Sequence, residues 1–149
     1  MALGYSGVVT QARTQQTALI TEQRKLRMED NQDKRETNTE IKKRQDAITK
    51  AQSFKNKTGK ISDYAAFFGP AAALLGETVE ALCQSGADST IAKLESKVKT
   101  LQDNLTERST TRQTRLDEID LEITACQEQI KDAKKQGEEA TKEMFGANG

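Results

Sequence analysis

From about Val8 to Phe54 the apolar residues Val9, Ala12, Leu19, Leu26, Ile41, Ile48 and Ala51 recur at coiled-coil spacing, separated by runs of Gln, Thr, Arg, Lys and Glu. Such a stripe buries one face of a helix and leaves the remainder in water. It predicts a first long helix over about residues 8–56, stopping near Gly59, which accepts the left-handed conformation beyond a helix end. Lys55, Lys57 and Lys60 suit the negative pole of that helix. A second stripe is more regular. Ile91, Leu94, Val98, Leu101 and Leu105 alternate by threes and fours, and Leu116, Ile119, Ile123, Cys126, Ile130, Ala133, Ala140 and Met144 continue the pattern with Gly137 on the same line. The eleven-residue step from Leu105 to Leu116 offsets the two runs by a four-residue stutter, which unwinds a supercoil locally without ending the helix. The second stripe predicts a long C-terminal helix over about residues 88–145, capped by Asp88 or Ser89.

Each stripe has a polar interruption, Glu29 to Glu40 in the first and Thr106 to Arg115 in the second. In an antiparallel hairpin, facing positions have a constant sum, and a sum of about 145 brings the interruptions opposite each other. The same register sets Leu26 near Ile119, Leu19 near Cys126, Ala12 near Ala133, and Ile41 near Asn104 and Leu105. Leu19, Leu26, Ile41, Ile48, Leu94, Leu101, Ile119, Ile123 and Ile130 are the predicted pairing residues. Arg108, Arg112 and Arg115 then face Asp30, Asp33 and Glu36, a polar layer that sets register at some cost in stability.

Between the stripes lies the one concentrated apolar segment, from Ile61 to Cys83. Gly69-Pro70 is a place for a short helix to start, with proline at its first position, and Gly86 can end it. Ala71, Leu74, Leu75, Val79 and Leu82 are the expected buried face, and Phe67, Phe68, Leu74, Leu75 and Leu82 the expected tip or subunit contact. The fold class predicted is therefore all-α: one elongated domain over residues 1–149, a long antiparallel coiled-coil hairpin with an apolar helical segment at about 61–86 as its tip.

Composition agrees with helices that bury one stripe each. Only 34% of the 149 residues are hydrophobic, 31% are charged, and there is a single proline. Charge is balanced overall but not along the chain. Residues 1–60 carry 13 basic and 7 acidic side chains, and residues 61–149 carry 10 and 16. The halves are complementary, which suits self-association and argues against a nucleic-acid partner, since that requires an uncompensated basic face. The chain has no histidine, its two cysteines are isolated, and its glycines are too dispersed to cradle a phosphate. These features argue against an enzyme, a metal site or a cofactor. Asp117, Glu118, Asp120 and Glu122 read as a solvated helix face, and Cys83 and Cys126 as small buried apolar residues, too far apart in the hairpin to form a disulfide.

The N-terminus lacks the basic start and apolar core of a cleavable signal peptide, so the expectation is a cytoplasmic protein or one exported by another route. Its Thr/Gln-rich beginning, Thr10-Gln11-Ala12-Arg13-Thr14-Gln15-Gln16-Thr17, with long helices and one apolar stretch, resembles the filament and translocator proteins of bacterial type III secretion systems. That resemblance implies hairpins that polymerise into an extracellular appendage or form its tip, shielded before export by a chaperone. Two other readings compete with an assembly subunit. One is an adaptor or secretion chaperone that grips a partner helix between its arms. The other is a membrane-active translocator or phage ejection-type protein that uses residues 61–83.

Overall fold

The structure, a computed structural model, describes residues 2–55 and 61–146, and the surroundings of side chains at 6–53 and 66–144. Among these residues the chain is all-α, with α1 (Ala2–Lys55), α2 (Ile61–Leu75), α3 (Val79–Ser85) and α4 (Ala87–Gly146). The long helices α1 and α4 pack against each other as a hairpin. Helix α1 starts about a turn and a half before the predicted position, and the stop expected at Gly59 lies outside the described residues. Threonine is tolerated along α1 because its hydroxyl is absorbed by the helix itself. Thr10, Thr14 and Thr21 each donate to the carbonyl four residues back at 2.9 Å. Helix α4 runs unbroken through the stutter between Leu105 and Leu116.

The chain packs as two compact units, one made of α1 up to Asp30 with α4 from Thr110, the other of residues Asn31–Ser109. Both boundaries fall inside the polar interruptions, where neither helix offers a large apolar side chain to its neighbour. In the first unit Leu19, Ile119 and Cys126 form a buried cluster with Leu26 and Ile123 packed on it, in the antiparallel register predicted. Ala12 and Ala133 are buried as well. Met144 leaves the stripe and is exposed, as are Met28 and Leu121.

The second unit has the larger core. Ala47 and Ala51 of α1, Phe67, Phe68, Ala71 and Ala72 of α2, Leu82 of α3 and Leu94 of α4 bury one another, with Ile48, Leu74, Leu75 and Ile91 packed around them. The Phe67 and Phe68 rings lie 4.4 Å apart at a tilt of 50°. Helix α2 corrects the sequence reading, because Gly69-Pro70 sits inside it rather than at the start of a new helix. Positions 67 and 71, and 68 and 72, are one turn apart, so burying all four requires a helix that continues through the proline. Glycine before proline also removes the Cβ that would clash with the proline ring. The break comes instead at Gly76, whose φ of 67° ends α2, and the Glu77 amide donates to the Ala72 carbonyl at 3.2 Å.

After that break Thr78 caps α3 by accepting from the Ala81 amide at 3.2 Å, which rotates α3 out of the face predicted for it. Leu82 stays fully buried, whereas Val79 is 39% exposed and Cys83 is exposed, against expectation. Gly86, with φ 88°, ends α3, and its carbonyl accepts the Thr90 amide at 3.1 Å, so α4 begins at Ala87, one residue ahead of Asp88, which lies inside its first turn. Buried Thr90 completes this corner by donating its hydroxyl to the same carbonyl at 3.0 Å.

Phe68→Ala should destabilise the protein by about 3–5 kcal/mol in urea unfolding, because it empties a packed core. Leu121→Ala should stay within about 0.5 kcal/mol in dilute solution.

Candidate functional site

Among the described residues no group of acidic or cysteine side chains is placed to hold a metal ion. The side chains that sequence reading set aside as a polar layer do pair across the helices, each within its own unit. In the first unit Arg112 Nη1 donates to Asp30 Oδ1 at 3.1 Å, and both side chains are less than one-fifth exposed. In the second unit Arg108 grips Asp33 with two bonds of 2.9 Å and donates at 3.3 Å to Thr37, a buried threonine that itself donates to Asp33. Both arginines reach about one turn further along α1 than the apolar register predicts, because the arginine side chain is long and its fork must meet a carboxylate.

Two members of the predicted layer differ. Arg115 does not meet Asp30, which the antiparallel register sets opposite it. Its guanidinium binds Glu22 with two bonds of 2.8 and 3.0 Å and also reaches Glu118 at 3.2 Å and Glu122 at 3.4 Å. Those two carboxylates lie ahead of it on α4 and draw it along the helix, to where Glu22 projects from α1. Glu36 is exposed and accepts from Gln32 on its own helix at 3.0 Å. Glu22 was missed because it lies outside the polar interruption. Thr37 was legible, since the apolar register places it opposite Arg108.

The electrostatics follow these bonds. The hydrogen bonds from Arg115 hold the Glu22 carboxyl below its ordinary value of 4.5, and those from Arg44 and then Lys43 do the same for Glu40. The bonds to Asp33 raise Arg108, and those to Glu22 and Glu118 raise Arg115.

A property of the whole hairpin emerges from which charges pair. Helix α1 carries 11 basic and 7 acidic residues, and α4 carries 10 and 13. The pairing joins acids of α1 to arginines of α4, the minority charge of each helix. Most of the majority charges are left outward, although Arg115 also engages Glu118 and Glu122 and Asp120 accepts from Gln23 of α1 at 2.7 Å; the charge asymmetry of the sequence had suggested their use between the halves. In the first unit, Arg24, Lys25 and Arg27 are exposed on α1 beside one exposed acid, Glu29, and Asp117, Glu118, Asp120 and Glu128 are exposed on α4, where the exposed lysines of this unit begin at Lys131, beyond this stretch. Met28, 72% exposed, follows Arg24 and Lys25 by one turn. Leu121, 73% exposed, follows Asp117 and Glu118 by one turn.

The second unit offers an open groove of about 640 Å³ between α1 and α4, lined by Ile41, Lys42, Gln45, Asp46, Gln102 and Leu105 among others. The predicted tip residues take another role from an exposed contact. Phe67, Phe68 and Leu82 are buried in the core of this unit, with Leu74 and Leu75 half-buried against it. No single helix among the described residues is long and apolar enough to cross a membrane, and the pair Ala66–Leu75 and Val79–Ser85 is bent by 106°. Of the remaining pairing residues, Ile41 is buried and Leu101 and Ile130 are half-buried. Comparison with known protein families, characterised proteins and solved structures finds no match to this chain.

Replacing Arg112 by Leu should destabilise the protein by about 1–3 kcal/mol in urea unfolding, since it takes the arginine bond from Asp30 at the seam, and adding Asp30→Leu should recover most of that loss. Glu22 and Glu40 have lowered values when folded, so their stabilisation is complete above 4.5 and is lost as pH falls through those lowered values. The melting temperature should hold between neutrality and about pH 5 and decline below pH 4.5, with a shallower decline in Glu22→Gln/Glu40→Gln.

Proposed function

We propose that the protein is a non-enzymatic structural subunit that self-associates into a filament or particle, of the kind that type III secretion systems build outside the cell. The observation that carries this reading is the outward sorting of charge in the first unit, basic on α1 and acidic on α4, each with a large apolar side chain among the charges. Isolated exposed apolar residues are ordinary on a surface. Here each sits on a regular helix with charges of one sign one turn before it, Arg24 and Lys25 ahead of Met28 and Asp117 and Glu118 ahead of Leu121. Such faces favour association between copies through steering and desolvation of the apolar centre. The chemistry of the chain adds to this reading, since it has no histidine and its cysteines are separate and free.

A second reading rests on the groove beside Ile41 and Leu105, which is the shape an adaptor or chaperone would use to hold a partner helix. The two readings differ in copy number. Light scattering over a wide range of protein concentration should show mass growing continuously with concentration. A mass that stays at one or two copies throughout would remove the assembly reading and favour the adaptor.

A further inference from the structure

The structure assigns a second copy of this chain as the partner of the first unit: we infer that the acidic face of α4 around Leu121 docks on the basic face of α1 around Met28 of the next copy. This inference rests on the self-assembly reading and adds to it the surfaces and the symmetry. It follows from where each face points. Leu19, Leu26 and Asp30 of α1 and Leu116, Ile119 and Cys126 of α4 turn inward in their helices. Met28 lies two residues beyond Leu26, and Leu121 two beyond Ile119, so in each helix the exposed residue is on the side away from the partner. The two faces therefore lie on opposite sides of the two-helix pair.

Charge decides which face meets which. Arg24 and Lys25 precede Met28 by four and three residues, and Asp117 and Glu118 precede Leu121 by the same intervals, with Glu128 two turns after Leu121. A basic face on a basic face, or an acidic face on an acidic one, would bring like charges together around the apolar centre. The favourable contact is basic on acidic, and it is heterologous, because each copy offers one face of each kind and the contact leaves one of each unused. Such contacts propagate into rings or open filaments rather than stopping at a two-fold dimer. Pairing inside the hairpin sharpens these faces, since it withdraws Glu22 and Asp30 from the basic helix and Arg112 and Arg115 from the acidic one; Glu118 is shared with Arg115, so Asp117 and Glu128 carry the acidic face.

The test uses two charge-reversed full-length chains whose substitutions touch neither seam. Arg24→Glu/Lys25→Glu makes both outward faces acidic, and Asp117→Lys/Glu128→Lys makes both basic. Each variant alone should keep the helicity of the parent chain by circular dichroism yet associate at least about 100-fold more weakly in sedimentation velocity. Mixing the two in equal amounts should restore large species, because every contact between unlike copies is then basic on acidic. If the parent chain associates and both variants associate equally well alone, the assigned faces are wrong while the assembly reading stands. If mixing fails to restore large species although both variants are folded and separately weakened, the heterologous contact is overturned. Loss in the α1 variant alone, with the α4 variant unchanged, would instead give the basic face a different acidic partner. A parent chain that is monomeric at every concentration overturns both readings.

Discussion

Everything in this molecule depends on how little apolar surface each long helix possesses. One stripe per helix can be buried against one neighbour, and the remaining surface must be soluble. That constraint makes the hairpin of α1 and α4 the minimal solution for most of the chain, and it explains why the first unit buries so few large side chains: Leu19, Leu116 and Ile119, with small residues such as Ala12, Cys126 and Ala133 around them. Where the chain does hold an apolar surplus, between Phe67 and Leu82, that surplus adds two further helices to the pair and produces a core built from four helices.

The polar interruptions have a different physical basis. Two aspartates and two arginines, half-removed from water, gain little net stability from pairing, because desolvation offsets most of the attraction. Their contribution is specificity. A pairing slipped by one turn would strand Asp30, Asp33, Arg108 and Arg112 against unmatched neighbours, whereas a stripe of Ala and Leu alone would tolerate the slip. The same bonds govern the surface. Pairing Glu22, Asp30 and Asp33 of α1 with Arg115, Arg112 and Arg108 of α4 takes minority charge from each helix, so choosing partners within the chain also biases the sign of what is offered beyond it.

Much of this architecture was legible in the sequence. The three- and four-residue alternation gave the helix types. The coincidence of the two interruptions gave an antiparallel register that holds in both units, with Leu26 beside Ile119 in one and Ala51 beside Leu94 in the other. These features depend on backbone periodicity, which a linear pattern encodes directly. Local punctuation was less legible. Gly69-Pro70 looked like a helix start and lies inside α2, because four apolar side chains one turn apart on that helix gain more from a shared face than proline removes.

The sequence by itself determined that the chain is helical, that its long helices pair antiparallel, and which residues lie on the seam, because one stripe on each long helix leaves only one economical way to exclude water. Only the tertiary structure decided that Arg115 binds Glu22 and not Asp30, that Val79 and Cys83 face solvent while Phe67 and Phe68 do not, and that the charges around Met28 and Leu121 lie on opposite outer faces of the first unit. The reason is the same in each case. A side chain's partner depends on reach and rotation in three dimensions, and a long arginine or a glycine-ended turn can shift either by a full helical turn without altering the pattern along the chain.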